Sequence, residues 1–179
     1  MGRRTIIAVL AATAALIAGA VPASAMGSGN PYLDMQTGVT YTVYQPTYAA
    51  GLKLQHAGGN TMCPEGTDEN LLTAYGTRST QQFTITQGNP MCSDIGVGRT
   101  VLRTTVLGAR AEVVAYCDPA STKKCTKADV QRYGGHLSVN LPARPGLRPT
   151  TLWIETFSAH NVSAETLLRI ARHLVAVSG

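Results

Sequence analysis

Short apolar and polar alternations, repeated along the chain and separated by turns, limit this sequence more than any other feature. Val39, Tyr41 and Val43 alternate with Thr40, Thr42 and Tyr44 before Pro46 stops the run. A period of two puts one set of side chains on one face of a strand. Residues 71–75 and 81–86 give two more such runs, the second with Phe83 and Ile85 against polar neighbours. Residues 100–106 and 111–117 flank Leu107-Gly108-Ala109-Arg110, which reads as a hairpin. Leu137, Val139 and Leu141 alternate with His136, Ser138 and Asn140, and residues 151–157 form a last strand around Trp153. Turns, not long helices, separate these runs, which predicts a mainly antiparallel sheet.

Two segments break the alternation with a helical pattern. Thr126-Lys127-Ala128-Asp129 has the form of a capping box, and Gly134-Gly135 supplies a stop, so a short helix is expected between them. A second helix is expected after Ser163, a good N-cap, with Glu165 placed favourably against the helix dipole. Leu167, Ile170, Ala171, Leu174 and Val177 would share its apolar face, and Arg169, Arg172 and His173 its polar one. The fold class is therefore α+β: a single curved antiparallel β-sheet with the C-terminal helix packed on one face, plus a short helix.

Residues 1–25 read as a secretory signal peptide: basic Gly2-Arg3-Arg4, an apolar run from Ile6 to Val21, then Ala23-Ser24-Ala25 before a cleavage point. The apolar run is shorter than the roughly 20 residues that span a bilayer, and no later run is long enough to do so. Of 179 residues, 154 would remain, enough for one domain. The expected division is a flexible Gly-, Ser-, Asn- and Pro-rich entry segment over residues 26–36 and one globular domain over residues 37–179. Arg3 and Arg4 leave with the leader, taking the formal charge from +5 to +3, thirteen basic against ten acidic residues. Without a basic stripe carrying interleaved aromatics, nucleic acid is not an expected partner.

Export places the chain in an oxidising compartment, where Cys63, Cys92, Cys117 and Cys125 are disulfide candidates first. Gly59-Asn60-Thr61-Met62-Cys63 and Gly88-Asn89-Pro90-Met91-Cys92 repeat one turn-like pattern 29 residues apart. That repeat favours Cys63 with Cys92 and Cys117 with Cys125, although four cysteines allow three pairings. The rival is a soft-metal site built from the adjacent Met and Cys ligands. Neighbouring side chains on an extended segment point in opposite directions, so no metal or cofactor is expected.

No G-x-S-x-G elbow or H-E-x-x-H spacing occurs. His56, His136, His160 and His173 are scattered and read as surface residues, Glu65, Asp68 and Glu69 as a solvated acidic loop, and Asn161-Val162-Ser163 as a sequon whose serine caps a helix. Seven tyrosines far outnumber two phenylalanines, and Tyr44 and Tyr48 around Pro46 are the candidate interaction patch. Lys123 and Lys124, between Cys117 and Cys125, are a second candidate contact.

Taken in order, 43–48 (Val-Tyr-Gln-Pro-Thr-Tyr), 51–54 (Gly-Leu-Lys-Leu), 83–87 (Phe-Thr-Ile-Thr-Gln), 106–111 (Val-Leu-Gly-Ala-Arg-Ala), 152–155 (Leu-Trp-Ile-Glu) and 163–171 (Ser-Ala-Glu-Thr-Leu-Leu-Arg-Ile-Ala) resemble a known family. It is a bacterial extracytoplasmic domain of unknown function, found C-terminal to the membrane span in anti-sigma-factor-like and sporulation-associated proteins. The resemblance covers most of the expected mature chain and implies an antiparallel sheet with a final helix. It brings no catalytic residues. The expected function is a secreted non-enzymatic binding module for the cell envelope, a small apolar ligand or an exported protein. The alternatives are a disulfide-stapled inhibitor presenting Lys123 or Lys124 to a trypsin-like protease, and a hydrolase joining one histidine to an acid and a hydroxyl.

Overall fold

The computed structural model describes residues 27–59, 70–77, 79–89, 96, 98–117, 124–157 and 159–177. The leader, Cys63, Cys92, Lys123 and the acidic loop with Glu65, Asp68 and Glu69 lie outside the described residues. No described helix is long and apolar enough to cross a membrane.

The described elements run α1 (Pro31–Gln36), β1 (Tyr44–Pro46), β2 (Leu54–Gly59), β3 (Leu71–Gly76), β4 (Gln82–Gly88), β5 (Arg99–Val106), β6 (Ala109–Ala115), α2 (Lys127–Tyr133), β7 (Gly135–Leu141), β8 (Thr150–Thr156), α3 (Ala164–Arg172) and β9 (Leu174–Ala176). Seven strands form one sheet in the order β2-β3-β4-β8-β7-β6-β5, and β1 pairs with β9 in a second, two-stranded sheet. Every pairing between these strands is antiparallel. The β5–β6 hairpin closes through Leu107 and Gly108, both at positive φ (48° and 77°). That is the backbone a tight hairpin turn demands, and Gly108 adopts it without strain.

Register sorts the large sheet into two faces. Val113 faces Leu137, Leu137 faces Ile154 and Ile154 faces Ile85, and all four are fully buried. The opposite face carries Glu112, Ser138 and Trp153 in one row, and Val114, His136, Glu155 and Thr84 in the next. Helix α3 touches β5, β7 and β8 and buries Leu167, Ile170 and Ala171 completely. Its N-cap is Ser163, whose hydroxyl accepts from the Thr166 amide at 3.2 Å. At α2 the Asp129 carboxylate accepts from the Thr126 amide at 2.7 Å, and Gly134 ends the helix at φ 90°.

Three local readings change. The entry segment holds a helix, α1, capped by Asn30, whose side chain accepts from the Tyr32 amide at 3.0 Å. Val39, Tyr41 and Val43 are buried, but Thr42 and Tyr44 of the expected polar face are buried too, and strand pairing begins only at Tyr44. Finally, α3 stops at Arg172: Leu174, Val175 and Ala176 pair with Pro46, Gln45 and Tyr44, with Leu174 buried and Val175 exposed. The β-branched Val175 suits an extended edge better than another helical turn.

Side chains, not strands, hold the segment that leads into β1. Gln36 donates to the Tyr41 carbonyl (2.9 Å) and accepts from the Val43 amide (2.7 Å). Thr42 accepts from the Arg148 amide through its hydroxyl, and from the Thr150 hydroxyl through its carbonyl, both at 2.7 Å. The fully buried Gln87 clamps Tyr44, accepting from its amide (2.7 Å) and donating to its carbonyl (2.8 Å). With β9 on its other side, Tyr44 finds in that carboxamide what a neighbouring strand would supply.

Candidate functional site

Two places gather chemistry. The first is a polar trio on the face of the sheet away from Ile85 and Ile154. His136 and Glu155 are directly opposed across β7 and β8, and Tyr116 follows β6. The Tyr116 ring sits between two glycines: a Cβ at Gly96 would meet it at 3.0 Å and one at Gly134 at 3.2 Å. Its hydroxyl donates to Glu155 Oε1 and lies 3.1 Å from His136 Nδ1. One phenol has one proton, so the His136 Nδ1–H donates back to the phenol oxygen and the network assigns Nε2 as the bare nitrogen. Trp153 borders the trio, its ring 6.4 Å from that of His136.

Burial shifts two of the trio's groups in opposite directions. Burial, then the hydrogen bond and charge of Glu155, hold the Tyr116 phenol well above its usual range. Burial pushes the His136 imidazole down to about 4, so it is neutral at pH 7. A nucleophile is activated by a lowered pKa or by a base that takes its proton. Here the hydroxyl is held to a carboxylate in its protonated form. His136, expected at the surface, is 5% exposed; the Tyr116 side chain bonded to its Nδ1 is the part of the environment that a strand pattern does not reveal.

The second place is a cleft of about 380 Å³ where the end of α1, the segment at Thr42, the loop at 146–148 and the end of β9 meet. Gln36, Thr37, Thr42, Leu147, Arg148 and Val177 line it. Arg148 is exposed and its guanidinium has no ion pair or hydrogen bond among the described residues. A hollow of similar volume over the β5–β6 hairpin is lined by Arg103 and Glu112, but these two are already paired at 2.8 Å.

The expected site residues fall apart spatially. Tyr44 is buried, so the patch around Pro46 reduces to Tyr48, which lies half-buried under the Arg169 guanidinium at 4.1 Å and beside the His173 ring at 5.7 Å. The exposed large aromatic surface is instead at Tyr133 and Phe157. Cys117 and Cys125 form a disulfide with their Cα atoms 6.3 Å apart, and Lys124 is exposed beside it. His56, His160 and His173 are exposed. Asn161 of the sequon is buried near the Thr156 hydroxyl. Among the described residues no group of three or more His, Cys, Asp or Glu is arranged to hold a metal ion.

Sequence reasoning missed both assemblies. Tyr116 and Glu155 lie 39 residues apart, and the walls of the cleft come from four separate segments. The one available signal was the alternation itself, which put His136 and Glu155 on polar strand faces without giving the register. No protein-family model, curated protein or solved structure matches the chain.

Proposed function

We propose that the chain is a secreted, non-enzymatic binding module, exported by a leader over residues 1–25 and stapled by Cys117–Cys125 and by a Cys63–Cys92 pairing. In this reading the sheet is curved and α3 packs on one face, which the contacts of α3 with β5, β7 and β8 support. The observation that carries the proposal is the cleft at Thr42 and Arg148, whose volume of about 380 Å³ falls within the range of small-ligand sites. Its Thr42 wall is fixed in advance by Gln36, Gln87 and Thr150, which limits the ordering cost of binding. Native mass spectrometry of the secreted protein and pull-down from envelope extracts test this: a retained ligand or partner supports it, and none by either method refutes it. Mass analysis of the secreted form should give Met26 as the first residue, and a mature chain that keeps residues 1–25 contradicts export by cleavage.

The hydrolase reading has one observation in its favour, the meeting of His136, Glu155 and the Tyr116 hydroxyl. The binding reading is preferred on the strength of the cleft. Turnover of p-nitrophenyl acetate that Tyr116→Phe abolishes would reverse that preference.

A further inference from the structure

We propose that the cleft at Arg148 takes a small amphiphilic anion: a carboxylate or phosphate head on a short apolar tail. This rests on the binding reading and names its ligand class. Several of the groups that line the cleft are already occupied. The Gln36 carboxamide is committed at both ends, to the Tyr41 carbonyl and the Val43 amide. Thr37 donates its hydroxyl proton to the Asp34 carbonyl at 2.7 Å. Thr42 Oγ1 accepts from the Arg148 amide at 2.7 Å. The remaining lining includes Leu147 and Val177, both half-buried.

Arg148 is therefore the charged donor left without a partner among the described residues, and no carboxylate of a described residue lines the cleft. The nearest acid on α1, Asp34, accepts from the Ser28 amide at 2.7 Å. The side chains of Gln36, Thr37 and Thr42 each already hold a partner within the fold, so the guanidinium is the strongest donor the cleft offers. An anion needs one, and guanidinium matches carboxylate and phosphate oxygens in pairs. Leu147 and Val177 then take the apolar tail.

The test is an amide-resolved NMR titration of the mature protein with hexanoate, hexyl phosphate, hexan-1-ol and acetate. Hexanoate or hexyl phosphate should saturably shift Thr42, Leu147, Arg148 and Val177, and the tighter of the two identifies the head group. Hexan-1-ol should bind about tenfold more weakly, the lower end for a charge-assisted hydrogen bond, and acetate more weakly than hexanoate. Arg148→Met should bring hexanoate down to the hexan-1-ol level, Arg148→Lys should restore part of the difference, and Thr37→Trp, from the exposed rim, should block both. Equal binding of hexanoate and hexan-1-ol at the cleft overturns the anion while leaving the binding reading intact. No shift at the cleft with any probe, while native mass spectrometry finds a ligand retained, overturns the site but not the binding reading. Silence in both experiments overturns both.

Discussion

Replacing Gln87 by Leu should destabilise the protein by about 1–5 kcal/mol, because it removes the clamp on Tyr44 and nearly preserves side-chain volume. The carboxamide satisfies the Tyr44 amide at 2.7 Å and the Tyr44 carbonyl at 2.8 Å, in a site from which Gln87 exposes nothing to water. Each buried backbone group left unpaired costs about 1–3 kcal/mol, and the added apolar burial of leucine offsets roughly 1 kcal/mol of the sum. At about 2–4 °C per kcal/mol for a chain of this size, Tm should fall by about 2–20 °C. Urea unfolding followed by circular dichroism measures the loss, and amide hydrogen exchange at Tyr44 locates it. Thr42, two residues before Tyr44, lines the cleft, so the same variant should also weaken hexanoate binding. A loss under about 0.5 kcal/mol with unchanged protection at Tyr44 would refute the reasoning, since the clamp would then contribute nothing that a leucine lacks.

Three further outcomes follow from the structure. Cys117→Ser with Cys125→Ser should cost about 2.5 kcal/mol in the chain-entropy model for this short loop, read by urea unfolding; an unchanged midpoint contradicts it. Burial holds the folded His136 near 4 against an ordinary 6.5, so between those values the unfolded chain binds more protons and stability rises with pH. The contribution of neutral His136 is whole above about pH 6.5 and is lost as pH falls toward 4, by at most about 1.4 kcal/mol per pH unit. Unfolding at pH 7 and pH 5 should show a smaller loss for His136→Gln than for the wild type, and equal losses contradict the assignment. Nitrogen-resolved NMR should find the His136 proton on Nδ1, and Tyr116→Phe should weaken that preference; a proton on Nε2 in the wild type contradicts the network.

Much of the sheet was legible because its cause is local. A period of two over Leu137, Val139 and Leu141 needs only one buried face, and that face is buried at 0–4% exposure. The caps at Thr126 and Ser163 were legible for the same reason: one side chain meets a backbone group within three residues. Leu174 and Val177 misled because a buried residue every three or four positions fits a helix as well as it fits a helix followed by a strand. What decided between them was pairing with Tyr44–Pro46, more than a hundred residues away. Tyr44 misled for the same reason, since Gln87 buries it from 43 residues on. The candidate site was illegible because its parts are each ordinary: a glutamine, two threonines, an arginine and a valine become a cleft only when α1, a loop and β9 converge.

If the cleft at Arg148 is a binding site, isothermal titration of hexanoate into the mature protein, wild type beside Thr37→Trp, will register it. The wild type should give a saturable one-to-one heat that the tryptophan removes without lowering Tm. A wild type with no saturable heat, or a heat that Thr37→Trp leaves unchanged, would contradict it.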